Sequence, residues 1–180
     1  VLYDCCDKFR VSLIGGDTTQ SPHLTISVTA LGWVDTGKGV LRSGAQVGDY
    51  ICVSGQVGDA AFGLNHRDHP LKKRLDYPTP RCALGQSLKD LANSMIDVSD
   101  GLAQDLGHIL KASNVGAQVE LNQLPIDTAL KELTQEQQWK YALAGGDDYE
   151  LCFTISPENH TKLLQQQFDI NISTIGQITE

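Results

Sequence analysis

Four short segments rich in glycine and aspartate carry residue types that could do chemistry. They are Gly15-Gly16-Asp17-Thr18-Thr19, Arg42-Ser43-Gly44-Ala45, Asp97-Val98-Ser99-Asp100-Gly101 and Gly145-Gly146-Asp147-Asp148. Each sits at the end of an apolar, strand-like run. Glycine lets a backbone approach a ligand closely and adopt positive φ. A neighbouring carboxylate can hold Mg²⁺, which takes one or two carboxylates together with phosphate oxygens and water. The shared theme is a metal–phosphate site assembled from strand ends. No Gly-Lys-Ser/Thr follows any glycine-rich stretch, so a Walker A loop is absent, and the protein-kinase signatures are absent as well.

Each segment also has a plainer reading. Gly15 to Thr19 could be a turn closed by an Asx-type hydrogen bond. Asp97 and Asp100 could serve the following helix as a cap and a first-turn acid. Gly145 to Asp148 could simply join a helix to a strand, and Arg42 could be an ordinary surface cation. Taken one at a time, none decides the matter.

The elements that must position these segments can be read from periodicity. Phe9 to Ile14 reads as a short strand. His23 to Val34 reads as a longer one, with Leu24, Ile26, Val28 and Ala30 on one face. Asp35 to Gly39 breaks the pattern and marks a boundary between residues 1–36 and 37–180. Tyr50 to Ser54 reads as a buried strand and Asp59 to Asn65 as a short helix. The polar, proline-containing stretch Arg67 to Pro80 reads as a mobile surface loop, and Arg81 to Ala92 as a helix. Met95 to Val98 is a strand carrying Asp97. Ser99 then caps a helix with Leu102, Leu106, Ile109 and Leu110 on its apolar stripe, stopped by Asn114 and Gly116. Val119 and Leu121 mark a strand, Thr128 to Ala144 a helix, and Tyr149 to Ile155 a strand. Ser156-Pro157 caps a last helix. Helices and strands interleave without a steady βαβ rhythm, so the fold class is α+β.

Composition narrows the function. Of 180 residues, 41% are hydrophobic and 20% charged, ordinary for a globular chain, and the net charge is −8. An acidic balance speaks against DNA or RNA as a partner, although divalent cations can bridge an acidic protein to phosphates. No apolar run has the length of a membrane span, and no secretory signal opens the sequence. Cysteines at 5, 6, 52, 82 and 152 are odd in number and lack metal-site spacing. They read as reduced, structural thiols of a cytoplasmic protein. Trp33 and Trp139 read as packing residues and His108 as structural. The start at Val1, with Tyr3 to Cys6 reading as mid-helix, suggests a cut N-terminus.

Together and in order, Leu13 to Thr19, Arg42 to Ala45 with Gly48-Asp49, Ile96 to Leu102 and Ala144 to Leu151 resemble the thiamine-monophosphate kinase family of the aminoimidazole-ribonucleotide-synthetase-like superfamily. The likeness covers essentially the whole chain, including Pro78 to Arg81 and Asp105 to Ile109, and fits an internal or C-terminal fragment. It implies the end of an N-terminal α/β sheet domain that binds ATP and dimerises (1–36). A C-terminal α+β domain follows (37–180), truncated, with a mixed or antiparallel sheet covered by helices. ATP and substrate would lie in the cleft between the domains. It implies Asp17, Asp97 and Asp100 as ligands of several Mg²⁺ ions. Gly16, Asp17, Arg42 and Ser99 become nucleotide contacts, and Asp147 a substrate contact where the family carries glutamate. The implied reaction is in-line transfer of the ATP γ-phosphoryl group to thiamine monophosphate, without a phospho-enzyme, in a homodimeric full-length enzyme. Further aspartates and a C-terminal aromatic of the family lie outside this sequence, so the fragment alone is expected to be inactive. Two other readings stay open: a cycloligase or selenophosphate synthetase of the same superfamily, and a non-catalytic nucleotide- or metal-binding module.

Overall fold

The computed structural model describes residues 2–180, and Val1 lies outside the described residues. The chain divides into a first unit that ends at Trp33 and a second, Val34–Glu180. In the first unit, helix α1 (Leu2–Phe9) is followed by chain without helix or strand among the described residues. The strands expected at Phe9–Ile14 and His23–Val34 do not form a ladder among the described residues, and Leu24, Ile26, Val28, Leu31 and Trp33 are exposed. The apolar alternation is real. A strand, however, is held by a neighbour's N–H and C=O groups, and this unit supplies none. Trp33, expected to pack, is fully exposed for the same reason.

The second unit is built on a five-stranded sheet of β1 (Tyr50–Ser54), β2 (Ala92–Val98), β3 (Gly116–Val119), β4 (Glu150–Ile155) and β5 (Ile172–Thr179). Their order is β2-β4-β1-β5-β3 and every pairing is antiparallel. The helices are α2 (Asp59–Asn65), α3 (Lys72–Asp76), α4 (Cys82–Leu88), α5 (Leu102–Ser113), α6 (Gln135–Ala144) and α7 (Pro157–Leu164). The central strands β1 and β4 are covered on both faces, which is why their sequences, Tyr-Ile-Cys-Val-Ser and Glu-Leu-Cys-Phe-Thr-Ile, run apolar without strict alternation. On one face Ile51, Val53, Ile96 and Cys152 meet Leu102, Leu106 and Ile109 of α5 and Ala142 of α6, with Trp139 packed at the edge. On the other, Cys52, Phe153 and Ile155 meet Leu84 and Leu88 of α4 and Leu163 of α7.

Local signals set most helix ends. Asn114 closes α5 in the left-handed conformation. Thr134 and Gln137 form a reciprocal capping box on α6. Ser156 caps α7, with Pro157 opening it. Thr134 splits the helix expected over 128–144 into a 3-10 turn (Leu130–Glu132) and α6, and Leu121 belongs to a 3-10 turn rather than a strand. The segment expected as a mobile loop, 67–80, carries α3. Its backbone at Lys72 presses so closely on Gly63 of α2 that a Cβ there would lie 2.6 Å from it. No helix among the described residues is long and apolar enough to cross a membrane.

Candidate functional site

Two loops of the second unit meet because β2 and β4 pair, with Asp97 opposite Leu151 and Val98 opposite Glu150. The first loop, Ser99-Asp100-Gly101, leads from β2 into α5. Gly101 occupies the N-cap position of α5 and there is no side-chain cap, so Ser99 does not cap it as expected. Instead the buried Asp105, one turn into the helix, accepts the backbone N–H of Ser99 (2.9 Å) and of Asp100 (3.0 Å). Asp105 thus does the helix-end work that the plainer reading gave to Asp97 and Asp100. Those two carboxylates are left exposed: Asp97 has no hydrogen-bond partner among the described residues, and Asp100 takes only a 3.3 Å bond from Gln104.

The second loop, Gly145 to Tyr149, leads from α6 into β4. Asp147 N–H donates to Ser99 O (2.9 Å) and Tyr149 N–H to Val98 O (2.8 Å). A Cβ on Gly146 would come within 2.5 Å of Ser99 O, so the close approach of the two loops requires glycine there. Asp147 (φ 63) and Tyr149 (φ 51) are both left-handed. That conformation costs about 1–3 kcal/mol for each non-glycine residue and persists only where surrounding contacts impose it.

Those contacts come from the alternate residues. Asp148 is buried and accepts the N–H groups of Gly58 (2.7 Å) and Ala60 (3.2 Å) at the start of α2. Glu150, fully buried, accepts Ser54 Oγ (2.6 Å), Arg74 Nη2 (2.6 Å), Arg81 Nε (2.7 Å) and Arg81 Nη2 (2.5 Å). Asp148 and Glu150 therefore point inward, while Asp147 and Tyr149 face out, with Tyr149 Oη donating to Asp147 Oδ1 (3.3 Å). Burial raises the Tyr149 phenol above its ordinary pKa, and the charges of Asp147, Asp97 and Asp100 raise it further. Of the three sequence-predicted carboxylates, Asp147 touches the phenol, while Asp97 and Asp100 lie on the strand end and loop that the Val98 and Ser99 bonds join to this turn.

The other predicted residues are placed separately. Arg42 follows Leu41, whose carbonyl accepts Met95 N–H. Its own carbonyl accepts Ser113 Oγ at 3.4 Å, and its side chain is exposed without an ion pair among the described residues. Gly16 and Asp17 belong to the first unit, where Thr18 N–H donates to Asp17 Oδ1 (2.8 Å), a bond to the next residue rather than the Asx turn expected, which would reach two residues on. His108 is exposed on α5. All five cysteines are free. Burial pushes the Cys52 thiol up to about 11 and the Cys152 thiol to about 12, so neither is a ready nucleophile.

Among the described residues, no group of three or more His, Cys, Asp and Glu side chains is arranged to hold a metal ion. Asp97 and Asp100 nevertheless fit Mg²⁺ as a donor pair. Both are hard oxygen ligands with few protein partners, and Mg²⁺ fills the rest of its shell with phosphate oxygens and water.

Sequence reasoning missed Asp59 and Arg74, and it quoted Arg81, Asp105, Asp148, Tyr149 and Glu150 only within motifs, without a role of their own. The one available signal was the run Asp147 to Leu151, whose alternation separates an outward pair from an inward pair. Beside the inward pair lies a hollow of about 440 Å³ lined by Gln56, Arg74, Arg81, Glu150 and Asn171, among others, and by none of the predicted site residues.

The buried acids near α2 carry a pH signature. Burial raises the pKa of Asp59 to about 7, helped by the charges of Asp148 and Asp127 and opposed by Arg74 at 3.9 Å. Burial likewise raises Asp148 to about 6, against the N–H groups of Gly58 and Ala60. The native state then holds protons that the unfolded chain releases from about pH 4. Stability therefore falls as pH rises from about 4 towards 7, and levels off above. Asp59 Oδ1 has no partner among the described residues. Asp59→Asn is expected to flatten this fall, measured as melting temperature at pH 5, 6, 7 and 8. An unchanged slope would remove Asp59 from the account.

Comparison with known proteins places the chain among relatives. The family model described as AIR synthase related protein, C-terminal domain, matches residues 38–180. The thiamine-monophosphate kinase of Haemophilus influenzae is 44% identical over 186 residues, covering 96% of this chain and 56% of that protein. The crystal structure of thiamine-monophosphate kinase from Stenotrophomonas maltophilia K279a aligns with a TM-score of 0.77 at 41% identity, over 82% of this chain and 52% of that one. A solved structure of AaThiL complexed with AMPPCP and TMP aligns at 0.66 and 30%, over 78% and 48%. The chain thus spans about half the length of the relatives it matches.

Proposed function

Because this chain belongs to the AIR synthase related family, whose C-terminal domain it carries, we propose that it is part of an ATP-dependent thiamine-monophosphate kinase of the cytoplasm that makes thiamine diphosphate and works as a homodimer. The observation that carries the reading is that backbone bonds from Asp147 and Tyr149 N–H to Ser99 and Val98 stitch the loop before β4, with Asp147, to the end of β2 and the loop after it, with Asp97 and Asp100.

In the proposed reaction, a phosphate oxygen of thiamine monophosphate attacks the γ-phosphorus of ATP in line. The β–γ bridging P–O bond breaks and ADP leaves. Such a transfer asks the protein for positioning and charge neutralisation rather than covalent chemistry. Two unit charges ~4 Å apart repel by about 4 kcal/mol at an effective dielectric of 20, so neutralisation decides the rate. Bound Mg²⁺ ions would supply that neutralisation, held by Asp97 and Asp100, with Asp17 assigned the same role by resemblance. Arg42 would meet nucleotide phosphates, and Ser99 and Gly16 would contact the nucleotide. Asp147, exposed and steadied by Tyr149, would contact the thiamine moiety. Residues up to about 36 would be the end of a nucleotide-binding, dimerising domain, and those from 37 the greater part of the second domain.

The test is to mix the protein carrying this chain with ATP, MgCl₂ and thiamine monophosphate and to quantify ADP and thiamine diphosphate. Equal amounts of both are expected, with no product when either substrate is omitted. ATP binding indifferent to thiamine monophosphate would favour a non-catalytic nucleotide-binding module.

A further inference from the structure

The turn 145–151 is fixed from three directions at once. Backbone bonds tie it to Val98 and Ser99 of the β2 loop. Asp148 ties it to the first amides of α2. Glu150 ties it to two arginines from the stretch around α3 and before α4, and Arg74 Nη2 also reaches the carbonyl of Asp148 at 3.4 Å. The first tie joins the two loops themselves, and the second holds the turn to the start of α2. The third reaches across about seventy residues of sequence to a segment that touches none of the outward-facing carboxylates. Gly55 completes the seat: with φ +61 and no Cβ, it leaves the space the Glu150 carboxylate occupies, and any side chain there would collide with that carboxylate.

We propose that Arg74 and Arg81 are positioning residues of the Asp97–Asp147 site: clasped on Glu150, they hold the 145–151 turn in the left-handed geometry that keeps Asp147 and Tyr149 facing outward. Glu150 stays buried only while its charge is compensated. Once it leaves, only the Asp148 bonds to Gly58 and Ala60 and the backbone bonds to Ser99 and Val98 oppose relaxation of φ at residues 147 and 149, and the outward pair is held less firmly. That Asp147 serves substrate rests on the function proposed above; the clasp itself does not.

The experiment is amide hydrogen exchange on the full protein, comparing the unsubstituted chain with Arg74→Gln and Arg81→Gln. The amides of Asp147 and Tyr149 are expected to exchange about tenfold faster or more, while those of the β1–β5 ladder keep their rates, as local opening requires. Arg81→Lys, which keeps the charge but not the two-pronged geometry, is expected to fall between. It carries the same comparison if the glutamine variants fail to fold. Equal acceleration at every amide, or none at residues 147 and 149, would overturn the clasp. Local loosening should also raise KM for thiamine monophosphate more than KM for ATP. Loosening with both KM values unchanged would leave the clasp standing and count against Asp147 as a substrate contact.

Discussion

Replacing Glu150 with alanine is expected to destabilise the second unit by about 3–5 kcal/mol, because it strips the shared partner from two arginines that are themselves mostly out of solvent. Against a typical domain stability of about 5–15 kcal/mol, this is a large fraction. The cost does not measure what the ion pairs contribute to folding. It is the penalty of leaving guanidinium groups uncompensated, and it adds to the loss of the acceptor for Ser54 Oγ, which itself accepts Leu151 N–H. Glu150→Gln keeps the shape and loses the charge, so its loss should be smaller. Replacing Arg74, Arg81 and Glu150 together by apolar residues should cost less than Glu150→Ala alone. Urea denaturation followed by far-UV circular dichroism gives all three values. A loss below about 1 kcal/mol for Glu150→Ala would mean that the cluster is screened like a surface pair.

The second large effect concerns rate rather than stability. Asp97→Asn and Asp100→Asn are each expected to lower turnover in the proposed transfer by about 10²-fold or more, the scale on which removing one charge-stabilising group acts. They should also raise the magnesium concentration needed for half-maximal rate. Both carboxylates are exposed and hold no structural bond of consequence, so unfolding free energy should move by no more than about 0.5 kcal/mol. That separation is the diagnostic: Asp105→Asn, by contrast, removes the charge that accepts the Ser99 and Asp100 amides and should cost stability as well. Near-normal turnover with unchanged magnesium dependence in both exposed variants would sink the metal-ligand assignment.

The two effects belong to one design. The inward residues of the 145–151 turn are held by buried charge and by helix amides, and the outward residues are thereby left exposed beside the end of β2, with Asp97, and the loop after it, with Asp100. Stability and the proposed chemistry therefore sit on alternate residues of the stretch Asp147–Glu150.

What the sequence determined by itself was what depends on near neighbours. The apolar runs at Tyr50–Ser54 and Tyr149–Ile155 became β1 and β4, because a strand buried on both faces needs no polar alternation. Asn114, Ser156 and Pro157 placed helix ends, because capping is a matter of a few consecutive residues. The candidate carboxylates at 97, 100 and 147 were legible as types and spacings. Only the tertiary structure decided that they share a patch, since their meeting depends on a β2–β4 pairing across some fifty residues. It also reassigned helix-end work from Ser99, Asp97 and Asp100 to Asp105, and turned a segment that looked like loose loop into the source of Arg74. A buried charge finds its partner in space, and residue spacing along the chain carries no record of that. The same reason explains the first unit: Leu24, Ile26 and Val28 have the pattern of a strand, but a strand exists only where another backbone completes its hydrogen bonds.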